Sequence, residues 1–150
     1  MKLLIPPPLQ ALVCAGLVYL IARYVPEFGF SFPFQSYLAM ALTLAGVSID
    51  LASVARFFQR GTTVSPVSPG KSTTLVTDGL YRFSRNPMYL GLALILTGFA
   101  VWMGNYAGFL VVPCFVWYVT RYQIVPEEEM LIEKFGLEYA DYCSRVGRWI

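Results

Sequence analysis

The chain has no histidine. The commonest general base and a common neutral metal ligand are therefore both missing. Chemistry falls to carboxylates, arginines, amides and tyrosines, and these gather in two stretches. The first is Gly79-Leu80-Tyr81-Arg82-Phe83-Ser84-Arg85-Asn86-Pro87-Met88-Tyr89-Leu90-Gly91. Pro87 suits the first turn of a helix, where its missing N–H costs nothing, and Asn86 is then a good N-cap. The unpaired N–H groups of such a helix start attract anions, and Gly91 allows close approach one turn in. The second stretch holds Arg121, Gln123, Pro126 and Glu127-Glu128-Glu129. Carboxylates just after Pro126 complement the helix dipole and are also available to cations. Asp50 is a third candidate, an acid inside an apolar run. Each feature also has a plain reading: interfacial Arg and Tyr anchors around a capped helix, dipole partners, and an acid near the membrane edge. Residue types alone leave both readings open.

Composition narrows the classes. The three cysteines, Cys14, Cys114 and Cys143, are scattered, with no disulfide or zinc spacing. No metal site is expected. Net charge is +2, and no basic helix or aromatic RNA motif points to nucleic acid.

The elements that position these groups are apolar. Of 150 residues 57% are hydrophobic and 13% charged, about half the charged share of a soluble domain. The sequence predicts an all-α integral membrane protein with four transmembrane helices plus a C-terminal amphipathic helix. It reads as one domain over 1–150, a two-helix membrane part over 1–58 followed by 59–150. The first span runs from Leu9 to about Val25. It resembles a signal peptide, but it is longer than a typical apolar core and no A-x-A site follows, so a retained helix is expected. The second covers about Ser36 to Phe58, the third Met88 to Met103, and the fourth Tyr106 to Ile124, with a kink expected at Pro113. Residues 59–86 form the one long polar stretch. From Glu127 to about Ser144, Leu131, Ile132, Phe135, Tyr139 and Tyr142 recur at helical spacing, which predicts one amphipathic helix. Arg56, Arg60, Lys71, Arg82 and Arg85 crowd the 56–86 segment, and Lys134, Arg145 and Arg148 the tail. The Gly104-Asn105 connector has none. This asymmetry puts loop, tail and both termini in the cytoplasm, and the short chain with lean loops suggests a bacterial inner membrane.

Loop and tail together resemble the isoprenylcysteine carboxyl methyltransferase and phospholipid methyltransferase superfamily, in the manner of a short bacterial member. The resemblance is carried by Leu75-Val76, Gly79-Leu80-Tyr81, Arg85-Asn86-Pro87-Met88-Tyr89-Leu90-Gly91, Glu127-Glu128-Glu129-Met130-Leu131 and Phe135-Gly136-Leu137-Glu138-Tyr139-Ala140-Asp141-Tyr142. It runs from about residue 71 to 148, in order and spacing, and favours the functional reading of both stretches. It implies S-adenosyl-L-methionine as methyl donor, S-adenosyl-L-homocysteine as product, and 59–150 as the cofactor-binding part. By position, the cofactor contacts would be Thr73, Thr74, Leu75, Val76, Tyr81, Arg85, Asn86, Pro87, Met88, Tyr89 and Glu127. Glu127 would meet the donor's ammonium, and Arg85 or the start of span three its carboxylate. Arg121, Gln123 and Glu128 would serve the acceptor side.

Two departures stand out. Asn86 replaces the family's usual histidine, and Gln123 stands where the eukaryotic prenylcysteine enzymes carry a substrate-contacting arginine. An amide grips a carboxylate less well than a guanidinium does. The resemblance and these departures together suggest a lipid or lipid-like acceptor in the bilayer. The alternatives are a prenylcysteine carboxylate acceptor, or a non-catalytic transporter or assembly protein that kept the fold. An amine or thiol acceptor must lose a proton. Without histidine the base would be Glu127, Glu128, Asp50 or a tyrosine.

Overall fold

The computed structural model of the chain describes residues 5–59 and 75–150. Thr73 and Thr74 lie outside the described residues. Among those residues there is no β-strand, only an isolated bridge between Gly29 and Asn105. The helices are α1 (Pro7–Tyr24), α2 (Gln35–Gln59), α3 (Pro87–Met103), α4 (Val111–Val119), α5 (Val125–Phe135) and α6 (Leu137–Arg145).

Local chemistry sets their ends. Pro7 opens α1 and Pro87 opens α3, at positions whose N–H has no partner within the helix. α3 stops at Gly104, whose φ is 61°. A side chain there would be strained, and its Cβ would lie 2.5 Å from the Phe30 carbonyl. The chain then passes to Asn105, which is buried. Asn105 Nδ2 donates to the Val25 carbonyl at 2.8 Å, and its Oδ1 accepts from Ala107 N–H at 2.9 Å and Gly108 N–H at 3.3 Å. Gln35 Nε2 donates to the Val101 carbonyl at 2.8 Å. One end of the bundle is thus tied by two amides.

The stretch after Asn105 differs from expectation. Pro113 falls in the first turn of α4, just after the 3-10 turn Ala107–Leu110. The irregularity comes later, as a π-turn over Thr120–Ile124, where Val125 N–H reaches back to the Thr120 carbonyl. Pro126 explains it: its ring would strike the carbonyl four residues earlier, and widening the preceding turn relieves the clash. α5 continues from there without a break, so the expected single helix over 127–144 is two. Gly136, at φ 53°, separates α5 from α6. Of the expected apolar stripe, Tyr139 and Tyr142 are buried and Leu131 and Phe135 partly so, but Ile132 is exposed. The turn at Gly136 breaks the phase on which the stripe was drawn.

Two cores result. Val18, Ala93, Leu96, Ala100, Phe115 and Val119 pack α1, α3 and α4 together. Val76, Tyr81, Tyr139 and Tyr142 pack α6 against the segment before α3. Outward, α1 and α2 expose Leu12, Val13, Leu17, Leu44 and Leu51, as side chains facing hydrocarbon would be. Three helical stretches are long and apolar enough to cross a membrane: Pro7–Tyr24, Gln35–Arg56 and the continuous Ala107–Phe135. α3, with 17 residues, is shorter than the usual ~20.

The most extensive helix pairing among the described residues is α2 on α3. It depends on small residues. A Cβ on Gly46 would sit 2.5 Å from the Gly91 carbonyl and 3.0 Å from the Ile95 N–H nitrogen, and one on Gly98 2.8 Å from the Ala39 carbonyl. Backbone meets backbone, so neither helix can yield without moving away. Gly46→Ala is expected to destabilise the protein by about 1–3 kcal/mol through overpacking. Gly16→Ala, with nothing within 4 Å of its Cβ, should be neutral or stabilising by up to about 1 kcal/mol. Thermal melting of the two variants in detergent checks the contrast.

Candidate functional site

The site lies at the end of the bundle opposite Asn105, where four pieces converge: the end of α2, the segment 75–86, the start of α5 and the tail after α6. Arg56 on α2 reaches Asp78 at 4.0 Å. Tyr81, buried in the short 3-10 turn Gly79–Arg82, shares a hydrogen bond with Ser53 of α2. Tyr142 Oη of α6 donates to the Tyr81 carbonyl at 2.6 Å. Burial pushes the Tyr81 phenol well above its ordinary range, and the charge of Glu127, and more weakly that of Asp50, push it further. Burial also raises Tyr139 and Tyr142. All three phenols stay protonated at neutral pH and serve as neutral hydrogen-bonding groups.

Two carboxylates open α5, with different environments. Glu127 is partly buried, and its Oε2 accepts from Tyr89 Oη of α3 at 3.2 Å. Glu128 is buried between two arginines. Arg85 Nη2 lies 3.1 Å from Glu128 Oε1, and Arg148 donates from Nη2 to Glu128 Oε2 at 2.7 Å and from Nε to both oxygens. The Glu128 bonds in turn raise the Arg148 guanidinium further above its ordinary value. The tail is stitched on by further bonds. Arg85 N–H donates to the Gly147 carbonyl at 3.0 Å, Asn86 Nδ2 to the Arg148 carbonyl at 3.0 Å, and Trp149 Nε1 to Thr120 Oγ1 at 3.3 Å.

Several expectations are redirected by this geometry. Asn86 precedes α3 as expected, but its side chain makes no capping bond and turns to the tail. The first N–H groups of α3 therefore have no side-chain cap. Glu128, expected on the acceptor side, has both carboxylate oxygens engaged by arginines. Arg121 is exposed on the outer surface, beside exposed Trp117, Tyr118 and Tyr122, where an interfacial belt would place it. Gln123 is buried in the π-turn, and its Nε2 donates to the Ile5 carbonyl at 2.8 Å, as does Gln10 Nε2 at 2.9 Å. The structure thus brings together Tyr81, Arg85, Asn86, Pro87, Tyr89, Glu127 and Glu128, with Leu75 and Val76 packed beneath α6. Met88 is partly buried in the first turn of α3. Arg121 and the Gln123 amide do not join this bonded network. Arg148, Trp149 and Ser53 were not foreseen as site residues. No local pattern pointed to them: Arg148 meets Glu128 across 20 residues of chain.

Chemically, the site offers a carboxylate, Glu127, close to an electropositive helix start. Arg85 adds a buried Nε without a hydrogen-bond partner among the described residues. Such a pairing suits a zwitterion. Among the described residues no cluster of metal-binding side chains occurs.

Apolar helices of this length with a polar site at one end define an integral membrane protein. The model of the phospholipid methyltransferase family matches residues 34–138, and the chain belongs to that family. Two of its relatives are named as methyltransferases. The chain is 31% identical over 124 residues to a protein-S-isoprenylcysteine O-methyltransferase of Schizosaccharomyces pombe, covering 81% of this chain and 52% of that one. It is 40% identical over 73 residues to the mouse protein-S-isoprenylcysteine O-methyltransferase, covering 49% of this chain and 26% of that one. An uncharacterized Haemophilus influenzae protein is 43% identical over 63 residues, its whole length and 42% of this chain. The chain thus spans about half the length of the fission-yeast relative and a quarter of the mouse one. No solved structure matches significantly.

The double ion pair has a measurable consequence. Glu128→Gln leaves Arg85 and the half-exposed Arg148 uncompensated, and removing one partner from a buried charge network costs on the order of 3 kcal/mol. The expected outcome is a lower melting temperature together with faster proteolysis of the last residues. An unchanged melting curve would show the pairs to be solvent-screened surface contacts.

Proposed function

We propose that the protein is an S-adenosyl-L-methionine-dependent methyltransferase whose acceptor is a membrane-embedded lipid or lipid-like molecule. The observation that carries this reading is the facing of Glu127 and the uncapped start of α3. A methionine moiety has an ammonium and a carboxylate. Glu127 suits the first, while the α3 N-terminus and the unpartnered Arg85 Nε suit the second. Val76, Leu75 and the Tyr81 and Tyr89 rings provide apolar and aromatic surface for an adenine.

The donor supplies a methyl group activated by a sulfonium. The residues of this chain hold its two charges, orient it, and keep water out. Arg85 is fixed by Glu128, and Glu128 by Arg148, so the tail pre-sets the cation that faces the donor. Beside the α2–α3 seam, in the half of the bundle nearer Gly104, lies an apolar groove of about 560 Å³ lined by Met40, Leu44, Ile95, Phe99 and Trp102, along which the hydrocarbon tail of an acceptor held at the site end could extend. The names of the relatives favour a second reading, a prenylcysteine carboxylate acceptor. Against it, Gln123 offers an amide whose N–H already serves the Ile5 carbonyl, and not a guanidinium fork.

With α3 counted as a short span, the protein has four membrane helices. Loop and tail would share the cytoplasmic face of a bacterial inner membrane, with both termini inside. Their direct bonding to each other, Tyr142 to Tyr81 and Arg85 to Gly147, supports a common side. Cysteines introduced at positions 70 and 140 should resist membrane-impermeant maleimide in intact cells. Ready labelling from outside would reverse the topology.

The direct test is calorimetric binding of S-adenosylhomocysteine to the detergent-solubilised protein. Glu127→Gln should weaken it by about 1.5–3 kcal/mol, the worth of a charge-assisted bond in a partly dry site. Unchanged affinity in a folded variant would leave Glu127 as a helix-dipole partner only. Comparing farnesylcysteine analogues with phosphatidylethanolamine as labelled-methyl acceptors separates the two acceptor readings.

A further inference from the structure

Asp50 has no task in the chemistry so far. It lies on the stripe of α2 that faces α3, in line with Gly46 and Ser53, and its carboxylate rests on Gly91, where any Cβ would collide with it. Asp50 Oδ1 is buried and has no hydrogen-bond partner among the described residues. Nor does any arginine or lysine among the described residues pair with it; the nearest along the helix, Arg56, is turned to Asp78. One turn on, Ser53 Oγ bonds the Ile49 carbonyl at 2.7 Å and the Tyr81 phenol. Asp50 is close enough to Tyr81 for its charge to act on that phenol, and Tyr81 borders Tyr89 and Glu127. It therefore stands at the rim of the site, partly exposed, on the side formed by the membrane helix.

A carboxylate left unpaired between apolar helices is unfavourable unless a cation meets it or a proton is supplied to it, and a protonated amine brings both. The other candidate bases are engaged. Glu128 is held by two arginines. Glu127 accepts from Tyr89 and faces the donor's ammonium. The phenols of Tyr81, Tyr139 and Tyr142 hold their protons.

We propose that Asp50 is the head-group residue of the acceptor site, binding the protonated amine of a hydrocarbon-tailed acceptor and taking its proton. This rests on the methyltransferase reading above and specifies its acceptor class. The step is a proton transfer. The N–H bond breaks, the proton passes to an Asp50 carboxylate oxygen, and the electron pair stays on nitrogen as the lone pair that a methyl group can join. Away from water the ion pair and the neutral acid–amine pair approach each other in free energy, so the transfer is feasible there. A carboxylate head group would be repelled.

The test uses three probes with one tail, dodecylamine, dodecanol and dodecanoate. Their binding to the full-length protein in a neutral detergent is measured by calorimetry, with and without S-adenosylhomocysteine. The wild type should bind the amine at least tenfold more tightly than the alcohol, and the carboxylate least. Asp50→Asn should abolish that preference while changing S-adenosylhomocysteine affinity less than twofold. Asp50→Ser repeats the neutral arm with a smaller side chain, and Asp50→Glu should keep part of the preference. A wild type without amine preference, a preference that survives in the Asn or Ser variant, or a loss of S-adenosylhomocysteine affinity like that expected of Glu127→Gln would overturn the proposal. Failure of the wild type to bind S-adenosylhomocysteine at all is a separate result. It would refute the methyltransferase reading, while the amine arm still decides on Asp50.

Discussion

Glu128 sits where two parts of the chain far apart in sequence meet. Arg85 belongs to the approach to α3, and Arg148 to the tail. Each is a cation that burial would penalise, and one buried carboxylate between them makes both tolerable. With that node in place, the backbone of Gly147 and Arg148 is brought within reach of Arg85 N–H and the Asn86 amide. Glu127 comes next to Glu128 on the same helix turn, so fixing one fixes the approach of the other to Tyr89. Weakening the node would loosen Arg85, Asn86 and Glu127 before it touched the membrane helices, which pack on their own apolar core.

The helical membrane architecture was legible because bilayer solvation imposes a coarse pattern: long apolar runs separated by short polar turns. The start of α3 was legible through Pro87 and its end through Gly104, whereas the first span was drawn from Leu9 and α1 already begins at Pro7. Much of the site could be read as well, since Gly79 to Gly91 and Glu127 to Tyr142 follow a spacing that names a family. The misses share a cause. Asn86 in front of a proline reads as a cap, but a distant carbonyl competes for its amide, and that partner is 62 residues away. Glu128 reads as an available base until two arginines, one of them 20 residues downstream, are found on it. The stripe drawn through Ile132 assumes unbroken phase, which Gly136 interrupts. Side-chain partnerships across sequence are set by packing, and a linear reading carries no trace of them.

The two ends of the bundle are built on different principles. Around Asn105 and Gln35, neutral amides close backbone groups, with partners at 2.8 to 3.3 Å. Around Glu128, charged groups neutralise one another, and unpartnered polar atoms remain at Arg85 Nε and Asp50 Oδ1. A fully satisfied end is a structural end. The proposed ligand site lies at the end that keeps polar atoms without partners among the described residues.

The π-turn at Thr120–Ile124 works as a phase shifter. One extra residue in a helical turn rotates everything downstream by about 100° relative to an uninterrupted α-helix. Upstream, Phe115 and Val119 point into the core while Trp117 faces outward. Downstream, that offset helps turn Glu127 towards Tyr89 and Glu128 towards the arginines. The division of this one long helix between membrane wall and site is therefore set by a count of residues more than by their kinds. Losing any one residue of the turn would swing both carboxylates off their partners, even with every functional side chain still present.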